Sequence, residues 1–340
     1  MWGDTVTIIY AILMFCILIF VHELGHFIAA KKCGIKVNKF ALGMGPAFFK
    51  VQKGETEYSL RILPIGGFCA MEGEDEDSED PRAFNRKKPW QKAIVVSAGA
   101  AMNVVLAIIL MCILAYAIGT ATTTIDSFVK GSYGETAGLA KGDKIVAIEN
   151  VKIKEWKDVS GSIAKKKPGE KVTVTVERKG QKKEVITPLM NQDGKAMIGI
   201  APVLEKSAGT AVKRGFVSTW GLTKAMYMMI KQLVTGQVST DQLSGPVGIV
   251  YMVNKSASNG FLYLLYLMAL ISLNLGVFNM LPFPALDGGR LVFIIIRGLT
   301  GKVITDSMEN KINFAGLLLL FGLMIYVTWN DVAKFILPHF

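Results

Sequence analysis

Four long apolar segments dominate this sequence and limit the folds open to it. They cover residues 5–30, 93–119, 261–281 and 312–329. Each is close to the ~20 residues that a helix needs to cross the hydrocarbon core of a bilayer. Because 51% of the residues are hydrophobic and the mean hydropathy is +0.40, much of this surface must face lipid. The sequence therefore predicts a polytopic α-helical membrane protein with four transmembrane helices.

The first segment differs from a cleaved secretion signal. Asp4 is the only charge before the apolar run, so the basic start of a signal is missing, and no small-residue cleavage pattern follows. We expect the segment to be retained as a helix.

Lysines and arginines near the ends of the segments predict the orientation. The N-terminal tail has neither residue, whereas the 31–92 and 282–311 connections are basic. We therefore expect these two connections in the cytosol, and the N-terminus and residues 120–260 on the extracytoplasmic side. The net charge of +11 is spread over both sides. This pattern indicates contact with membrane lipid and not nucleic-acid binding.

Residues 22–26 read HELGH and lie near the end of the first apolar segment. Residues four apart share one face of a helix, so His22 and His26 can direct ring nitrogens at one point. Neutral imidazole binds zinc, and Glu23 can take a proton from water on the metal. The alternative is a helix end whose polar residues reach the interface, but an unpaired Glu23 at that depth is costly. The pattern predicts a zinc site.

A catalytic zinc has three protein ligands and one open position. The remaining histidine, His339, is in the C-terminal tail, which the charge pattern places outside. The third ligand is therefore expected to be a carboxylate or cysteine at the cytosolic end of another helix. Asp287 is the obvious candidate, because it follows the third apolar segment in the stretch LNLGVFNMLPFPALDGGRL. An interfacial turn without a metal is the alternative.

The residues around Asp287 indicate broken helical backbone. Pro282 and Pro284 remove backbone donors and end the helix. Gly288 and Gly289 are expected to let the chain turn sharply after the aspartate. Non-helical backbone at membrane depth is tolerated only where it lines a cavity or is buried in protein.

These two motifs, HExxH and NxxPxPxLDGG, resemble those of the site-2 protease family of intramembrane zinc metalloproteases. Within it, the chain resembles the bacterial branch with a PDZ insert, the regulator of sigma-E protease type. The resemblance implies that His22, His26 and Asp287 bind one Zn²⁺ ion and that Glu23 is the catalytic base. In the second segment, SAGAAMN resembles the family's AGPxxN, with Ala100 where proline is usual.

The resemblance also implies residues close to the substrate. Asn274 and Asn279 match the family's asparagines, although hydrogen bonding between helices is a structural alternative for them. The full set of expected substrate-binding residues is Gly43, Gly45, Asn274, Asn279, Pro282 and Pro284.

Residues 36–70 have the alternation of strands. FFKVQ and EYSLR flank a Lys-Gly-Glu turn, which is typical of a hairpin. The family has a membrane-dipping β-element here, so a β-hairpin or sheet is expected on the cytosolic side. Its free edge could hold an unwound substrate by strand pairing.

Residues 120–205 resemble the PDZ domains inserted at this place in the bacterial family. GETAGLAKGDKIVAIENVKIKEW and the alternating KVTVTVERKGQKKEVITPL carry the likeness. Its groove either binds a peptide or excludes bulky substrates. Residues 212–240 form an amphipathic pattern interrupted by Lys224 and Lys231, which favours an interfacial helix over a fifth crossing.

The predicted domains are 1–118 with two transmembrane helices, HExxH and the β-element; 119–205, PDZ-like and α+β; 206–260, interfacial; and 261–340 with two further transmembrane helices. The predicted function is cleavage of single-span membrane proteins in the cell membrane by regulated intramembrane proteolysis. The resemblance implies anti-sigma factors or remnant signal peptides as substrates. A PDZ-bearing scaffold with a structural zinc and a transporter with broken helices are the alternatives.

Overall fold

The computed structural model of this chain describes residues 2–74, 76–237, 244–300 and 306–335. His339 lies outside the described residues. The helices are α1 (Trp2–Lys32), α2 (Pro89–Ile118), α3 (Trp156–Ile163), α4 (Ala208–Val234), α5 (Pro246–Asn259), α6 (Phe261–Asn279), α7 (Asp287–Thr300) and α8 (Asp306–Phe335). The strands are β1 (Val37–Lys53), β2 (Thr56–Met71), β3 (Thr120–Phe128), β4 (Lys144–Ile148), β5 (Val151–Lys152), β6 (Lys171–Arg178), β7 (Gln181–Pro188), β8 (Met190–Gln192), β9 (Lys195–Met197) and β10 (Ile200–Glu205).

Within the described residues, four helices are long and apolar enough to cross a membrane. The candidate spans are Val6–Lys32, Pro89–Ile118, Phe261–Asn279 and Met308–Lys334, in α1, α2, α6 and α8. Large apolar side chains on these helices are exposed, as lipid-facing surface requires; Ile9, Ile109 and Leu318 are each about half exposed or more. The prediction of a polytopic helical membrane protein is confirmed.

The chain forms two compact units. One contains residues 1–111 and 215–340, and the other contains residues 112–214. The finer sequence boundaries at 119, 206 and 261 stay predictions.

In the first unit, small residues let α1, α2 and α6 approach closely. A Cβ added to Gly25 of α1 would lie 2.8 Å from the Ala98 carbonyl carbon of α2. A Cβ added to Gly276 of α6 would lie 2.9 Å from the Ala100 carbonyl oxygen. Ser272 joins the same two helices, because its hydroxyl donates to a backbone carbonyl of α2 at 2.7 Å.

The two ends of the helical unit have different contacts. At one end, Thr7 near the start of α1 donates to Asn254 of α5 at 2.9 Å. Asp331 of α8 lies at that end too, is 1% exposed, and accepts the N–H groups of Gly245 and Gly248 at 2.8 Å each. These N–H groups lie at the start of α5, where the helix dipole favours a carboxylate. The end of α1, the start of α2 and α7 gather at the opposite end.

β1 and β2 form a sheet with more pairings than a simple hairpin. Residues 47–53 pair with 56–61 around a turn at Gly54, as the sequence predicts. Residues 39–42 pair on one side with 57–60 and on the other with 67–70. The sheet therefore has four extended segments, and within the described residues the segment 67–71 lies at one edge.

α4 presents one apolar face to the helical unit. Three half-buried residues spaced four apart pack against a buried cluster of α2 and α6; the α4 residues are Leu222, Met226 and Ile230, and the cluster is Ala107, Leu273 and Val277. Trp220 on another face is exposed. An amphipathic helix fits this packing, and its interfacial position stays a prediction.

The second unit is an α+β module with an antiparallel sheet in the order β10-β3-β4-β6-β7. Its strands alternate between buried and exposed residues, and β6 turns into β7 through Lys179 and Gly180, both at positive φ. The buried side chains include Ile125, Ile145, Ile148, Val172, Val174, Val176, Val185 and Leu189.

A buried ion pair links two parts of this module. Asp143, 1% exposed, accepts Arg178 Nε at 2.6 Å and Nη2 at 2.7 Å. Burial by itself would raise the pKa of Asp143, but hydrogen bonds from Arg178 and the Ala140 N–H outweigh it, so the pKa lies below its usual value.

We predict that Asp143→Asn destabilises the module by about 1–3 kcal/mol at pH 7, because one partner of a charged hydrogen-bonded pair is lost. The stabilisation from a lowered carboxyl pKa is present above the ordinary value of about 4 and is lost as pH falls through the folded value. Hydrogen exchange of peptides from residues 112–214 in the full chain measures the stability of the module. The deficit of the variant should therefore shrink below about pH 4.

Asp126→Asn is the matched control, because Asp126 pairs with Lys141 at 3.1 Å on the exposed surface. Such pairs contribute little. Equal protection in native chain and Asp143→Asn at pH 7 would contradict the role of the buried pair.

Candidate active site

α1 brings the two histidines of HELGH together. They lie one helical turn apart, with their Nε2 atoms 3.2 Å from each other and their rings nearly perpendicular at 81°. Their side chains are 15% and 12% exposed. Both imidazoles therefore direct the same nitrogen to one buried point, as the four-residue spacing predicts.

Asp287, the first residue of α7, reaches this point from a distant part of the sequence. Its Oδ2 lies 3.4 Å from His22 Nε2 and 3.6 Å from His26 Nε2. α6 ends at Asn279, and an irregular segment of seven residues containing both prolines leads to the aspartate. The broken backbone expected from the sequence is present.

The two glycines after Asp287 act differently from the expectation. Gly288 and Gly289 lie within the first turn of α7, and neither has a positive φ, so the chain does not turn sharply there. An added Cβ would instead lie 2.5 Å from the carbonyl carbon of Met280 or 2.8 Å from that of Phe283. The glycines are needed because α7 packs directly against the irregular backbone that precedes it.

The three side chains have the geometry and chemistry of a zinc site. Tetrahedral zinc with Zn–N and Zn–O bonds of 2.0–2.2 Å separates its ligand atoms by about 3.3–3.5 Å. The three Nε2 and Oδ2 separations of 3.2–3.6 Å are close to this value and, for the two to Asp287, long for hydrogen bonds. Asp287 Oδ2 is buried and has no hydrogen-bond partner among the described residues. The residues therefore fit a zinc ion.

In the part of the chain that the structure describes, His22, His26 and Asp287 are the one group of three potential ligands with such close atoms. This set of two imidazoles and one carboxylate is a common catalytic zinc set, with a fourth position open.

A backbone carbonyl orients His26. The His26 Nδ1 lies 2.9 Å from the carbonyl oxygen of Val95 in α2. A carbonyl can only accept, so Nδ1 carries the hydrogen and the lone pair of Nε2 faces the metal position.

Gly99 gives the histidines their space. A Cβ added there would lie against His26 Nε2, and 2.8 Å from His22 Cε1. α2 can therefore cross behind both imidazoles only with no side chain at this position. The sequence placed Gly99 in a family-like motif but did not predict this contact.

Glu23 lies beside His22 on α1 and is covered by the β-sheet. It is partly buried, and its carboxylate makes no hydrogen bond to the described protein groups. Gly67 of β2 packs over it, since a Cβ added at Gly67 would be 3.1 Å from Glu23 Cγ. A free carboxylate next to the zinc position is suited to exchange protons with water.

A second contact that the sequence did not predict ties the sheet to α7. Glu74 Oε1 accepts a hydrogen bond from Arg290 at 2.6 Å, and Glu74 Oε2 accepts the Met71 N–H at 3.2 Å. Arg290 follows Asp287 by three residues. The pair therefore fixes the end of β2 relative to the helix that presents the aspartate.

The expected substrate-binding residues lie on three parts of the helical unit: β1, α6 and the irregular segment after α6. Asn274 is exposed on α6, and Asn279 is partly buried at its end; neither side chain bonds another described protein group. Gly43 and Gly45 have positive φ in β1, and Gly45 accepts a hydrogen bond from Arg61 at 2.8 Å. Pro284 packs against Gly316 of α8, and Pro282 is exposed. Their role at the substrate stays a prediction.

Comparison with known proteins places this chain in a family. The model of peptidase family M50 matches residues 10–323. The chain belongs to peptidase family M50, the site-2 protease family. The resemblance seen in the sequence is thereby confirmed.

Several relatives cover nearly the whole chain. A putative zinc metalloprotease of Clostridium perfringens is 41% identical over 330 residues, covering 96% of this chain and 98% of the relative. One of Clostridium acetobutylicum is 39% identical over 330 residues, covering 96% and 97%. The zinc metalloprotease RasP of Geobacillus kaustophilus is 31% identical over 416 residues, covering 97% and 99%. This M50 protein is a membrane zinc metalloprotease with zinc as its cofactor.

Two solved PDZ domains align with part of the chain. The PDZ domain of an SdrC-like protein from Listeria innocua covers 25% of this chain and 92% of its own, with a TM-score of 0.22 and 24% identity. The corresponding domain from Listeria monocytogenes covers 25% and 88%, with a TM-score of 0.21 and 23% identity.

We predict that Gly99→Ala lowers zinc affinity by about 10–100-fold, because the new methyl group displaces the imidazoles. Chelator competition on the purified chain in detergent measures the dissociation constant. Gly322→Ala is the matched control, since a Cβ at Gly322 of α8 meets no atom within 4 Å. Native affinity in Gly99→Ala would contradict the close approach.

Proposed function

We propose that this M50 protein is an intramembrane protease that hydrolyses a peptide bond within or near the transmembrane segment of single-span membrane proteins. In this proposal His22, His26 and Asp287 hold the zinc ion and Glu23 is the catalytic base. The observation that carries it is the buried triangle of ligand atoms, 3.2–3.6 Å on each side, at the end of a membrane-spanning helix.

Bound zinc supplies Lewis-acid polarisation of the scissile carbonyl and a lowered pKa for water. Glu23 takes the proton of the attacking water and passes it to the leaving amine. Its lack of protein hydrogen bonds in the described residues leaves both oxygens free for this task. Val95 holds His26 in the tautomer that binds metal, through the 2.9 Å contact.

The sheet edge next to Glu23 supports a way to present the substrate. A helical transmembrane segment hides its peptide bonds, so cleavage needs it extended. The N–H of Glu72 points into the sheet, toward the Lys36 carbonyl, whereas the N–H of Met71 points out, toward Glu74. Because successive residues of a strand face opposite edges, the N–H and C=O groups of Gly67 and Cys69 face the free edge.

The substrates proposed are single-span proteins, such as anti-sigma factors or remnant signal peptides, cleaved in regulated intramembrane proteolysis in the bacterial cell membrane. The charge pattern of the sequence supports an active site toward the cytosol and an extracytoplasmic N-terminus and α+β module. The module is proposed to bind an extended peptide or exclude bulky substrates. Asn274, Asn279, Pro282, Pro284, Gly43 and Gly45 are proposed to lie along the substrate's path.

A scaffold with a structural zinc is a weaker proposal. Structural sites use four protein ligands, whereas the cluster among the described residues offers three.

We predict that Glu23→Gln lowers turnover by about 10²–10⁴-fold and keeps native zinc affinity, because it removes the base and leaves the ligands intact. Co-expression with a panel of tagged single-span proteins measures the fragments formed, and metal analysis measures zinc. Glu76→Gln is the control, an exposed glutamate in the loop after β2. Identical fragments from native chain and Glu23→Gln would overturn the proposed function.

We predict that Cys69→Pro lowers cleavage by about tenfold or more and keeps zinc binding, since proline removes one outward N–H and a hydrogen bond of ~1 kcal/mol or more. Fragment yield and zinc content are the measurements. The adjacent Phe68→Pro removes an N–H that faces β1, so it should disturb the sheet itself. Unchanged cleavage by Cys69→Pro would contradict strand pairing at this edge.

A further inference from the structure

Asn103 is a fully buried polar residue that the proposed mechanism does not use. It lies on α2, is 0% exposed, and its backbone carbonyl accepts the Ser272 hydroxyl at 2.7 Å. Its side-chain amide contacts the His22 Nδ1, with the amide nitrogen 3.3 Å away. Asn103 Oδ1 is buried and has no hydrogen-bond partner among the described residues. A buried amide with an unpaired end needs a reason.

The chemistry of His22 supplies that reason. Its Nε2 faces Asp287 and the metal position, so binding requires the lone pair on Nε2 and the hydrogen on Nδ1. A hydrogen on Nδ1 needs an acceptor. His26 has one already, the Val95 carbonyl at 2.9 Å. For His22, the side-chain amide of Asn103 lies at the corresponding position beside Nδ1.

The two orientations of the amide have opposite effects. An N–H that donates to Nδ1 leaves the imidazole hydrogen on Nε2, where it blocks metal binding. Half a turn about the Cβ–Cγ bond places Oδ1 against Nδ1 in the same volume, and the oxygen then accepts. Only this second orientation is compatible with His22 as a zinc ligand.

We propose that Asn103 is a positioning residue of the zinc site, whose Oδ1 accepts the Nδ1 hydrogen of His22 and turns the Nε2 lone pair toward the metal. The inference rests on the proposed ligand role of His22. A neutral amide suits the place, because a carboxylate within a membrane-spanning helix is costly without a cation.

Asn103→Leu and Asn103→Asp separate this role from packing. Leucine has a similar size and no acceptor, so the zinc dissociation constant of the purified chain should rise about 10–100-fold. Aspartate keeps the acceptor oxygens, so zinc affinity within about threefold of native is expected. Ser272→Ala is the control, because it removes the neighbouring hydrogen bond to the Asn103 carbonyl and leaves the amide intact.

Nuclear magnetic resonance of ¹⁵N-histidine-labelled, zinc-loaded chain reads the tautomer directly, since the chain has three histidines. His22 Nδ1 should be protonated in the native chain and in Asn103→Asp. Native zinc affinity in Asn103→Leu, or equal loss in Asn103→Asp and Asn103→Leu, would overturn the inference. His22→Ala distinguishes failure of this inference from failure of the proposed ligand role of His22. If His22→Ala keeps native zinc affinity, the ligand role itself is wrong.

Discussion

A carboxylate oxygen of Asp287 is buried in the helical unit without a protein donor in the described residues, and the surrounding elements are arranged around it. A buried charge without a partner costs several kcal/mol or shifts to its neutral form. The two histidine Nε2 atoms lie 3.4 and 3.6 Å from this oxygen, distances that are long for hydrogen bonds and suited to a shared cation. The proposed cation would connect α7 to α1 across 261 residues of sequence.

Close approach of the helix backbones allows Asp287 to lie next to the two histidines. Gly25 and Gly99 bring α1 and α2 together behind the imidazoles, and Gly288 brings α7 onto the backbone that follows α6. None of these three has a positive φ. They are glycines because a side chain has no room, and not because the chain turns. In lipid, where apolar burial drives association weakly, such contacts let helices gain dispersion energy.

The structural features that the sequence predicts are those that depend on a local pattern of residues. Hydropathy predicts the four spans, the spacing in HELGH predicts a shared helix face, and the prolines predict the end of α6. The contacts with Val95, Asn103 and Arg290 depend on which helix faces which, and no local pattern carries that information. The doubled pairing of residues 39–42 was missed for the same reason, since a hairpin rule pairs each strand once.

The broken helix and the sheet edge lie at the same end of the helical unit, and both would contact the proposed substrate. The N–H groups of residues 280–286 have partners within the segment, in α6 or at Asn313, whereas the edge strand 67–71 has outward backbone groups without a strand partner in the described residues. Within a bilayer such groups need partners. A transmembrane helix that unwinds beside Glu23 loses its own hydrogen bonds and can regain equivalents at Gly67 and Cys69. This exchange of hydrogen bonds lowers the free-energy cost of extending the substrate beside the proposed catalytic base. Extending the substrate against the lipid-facing surface of α8 would cost much more, because lipid offers no hydrogen-bond partners.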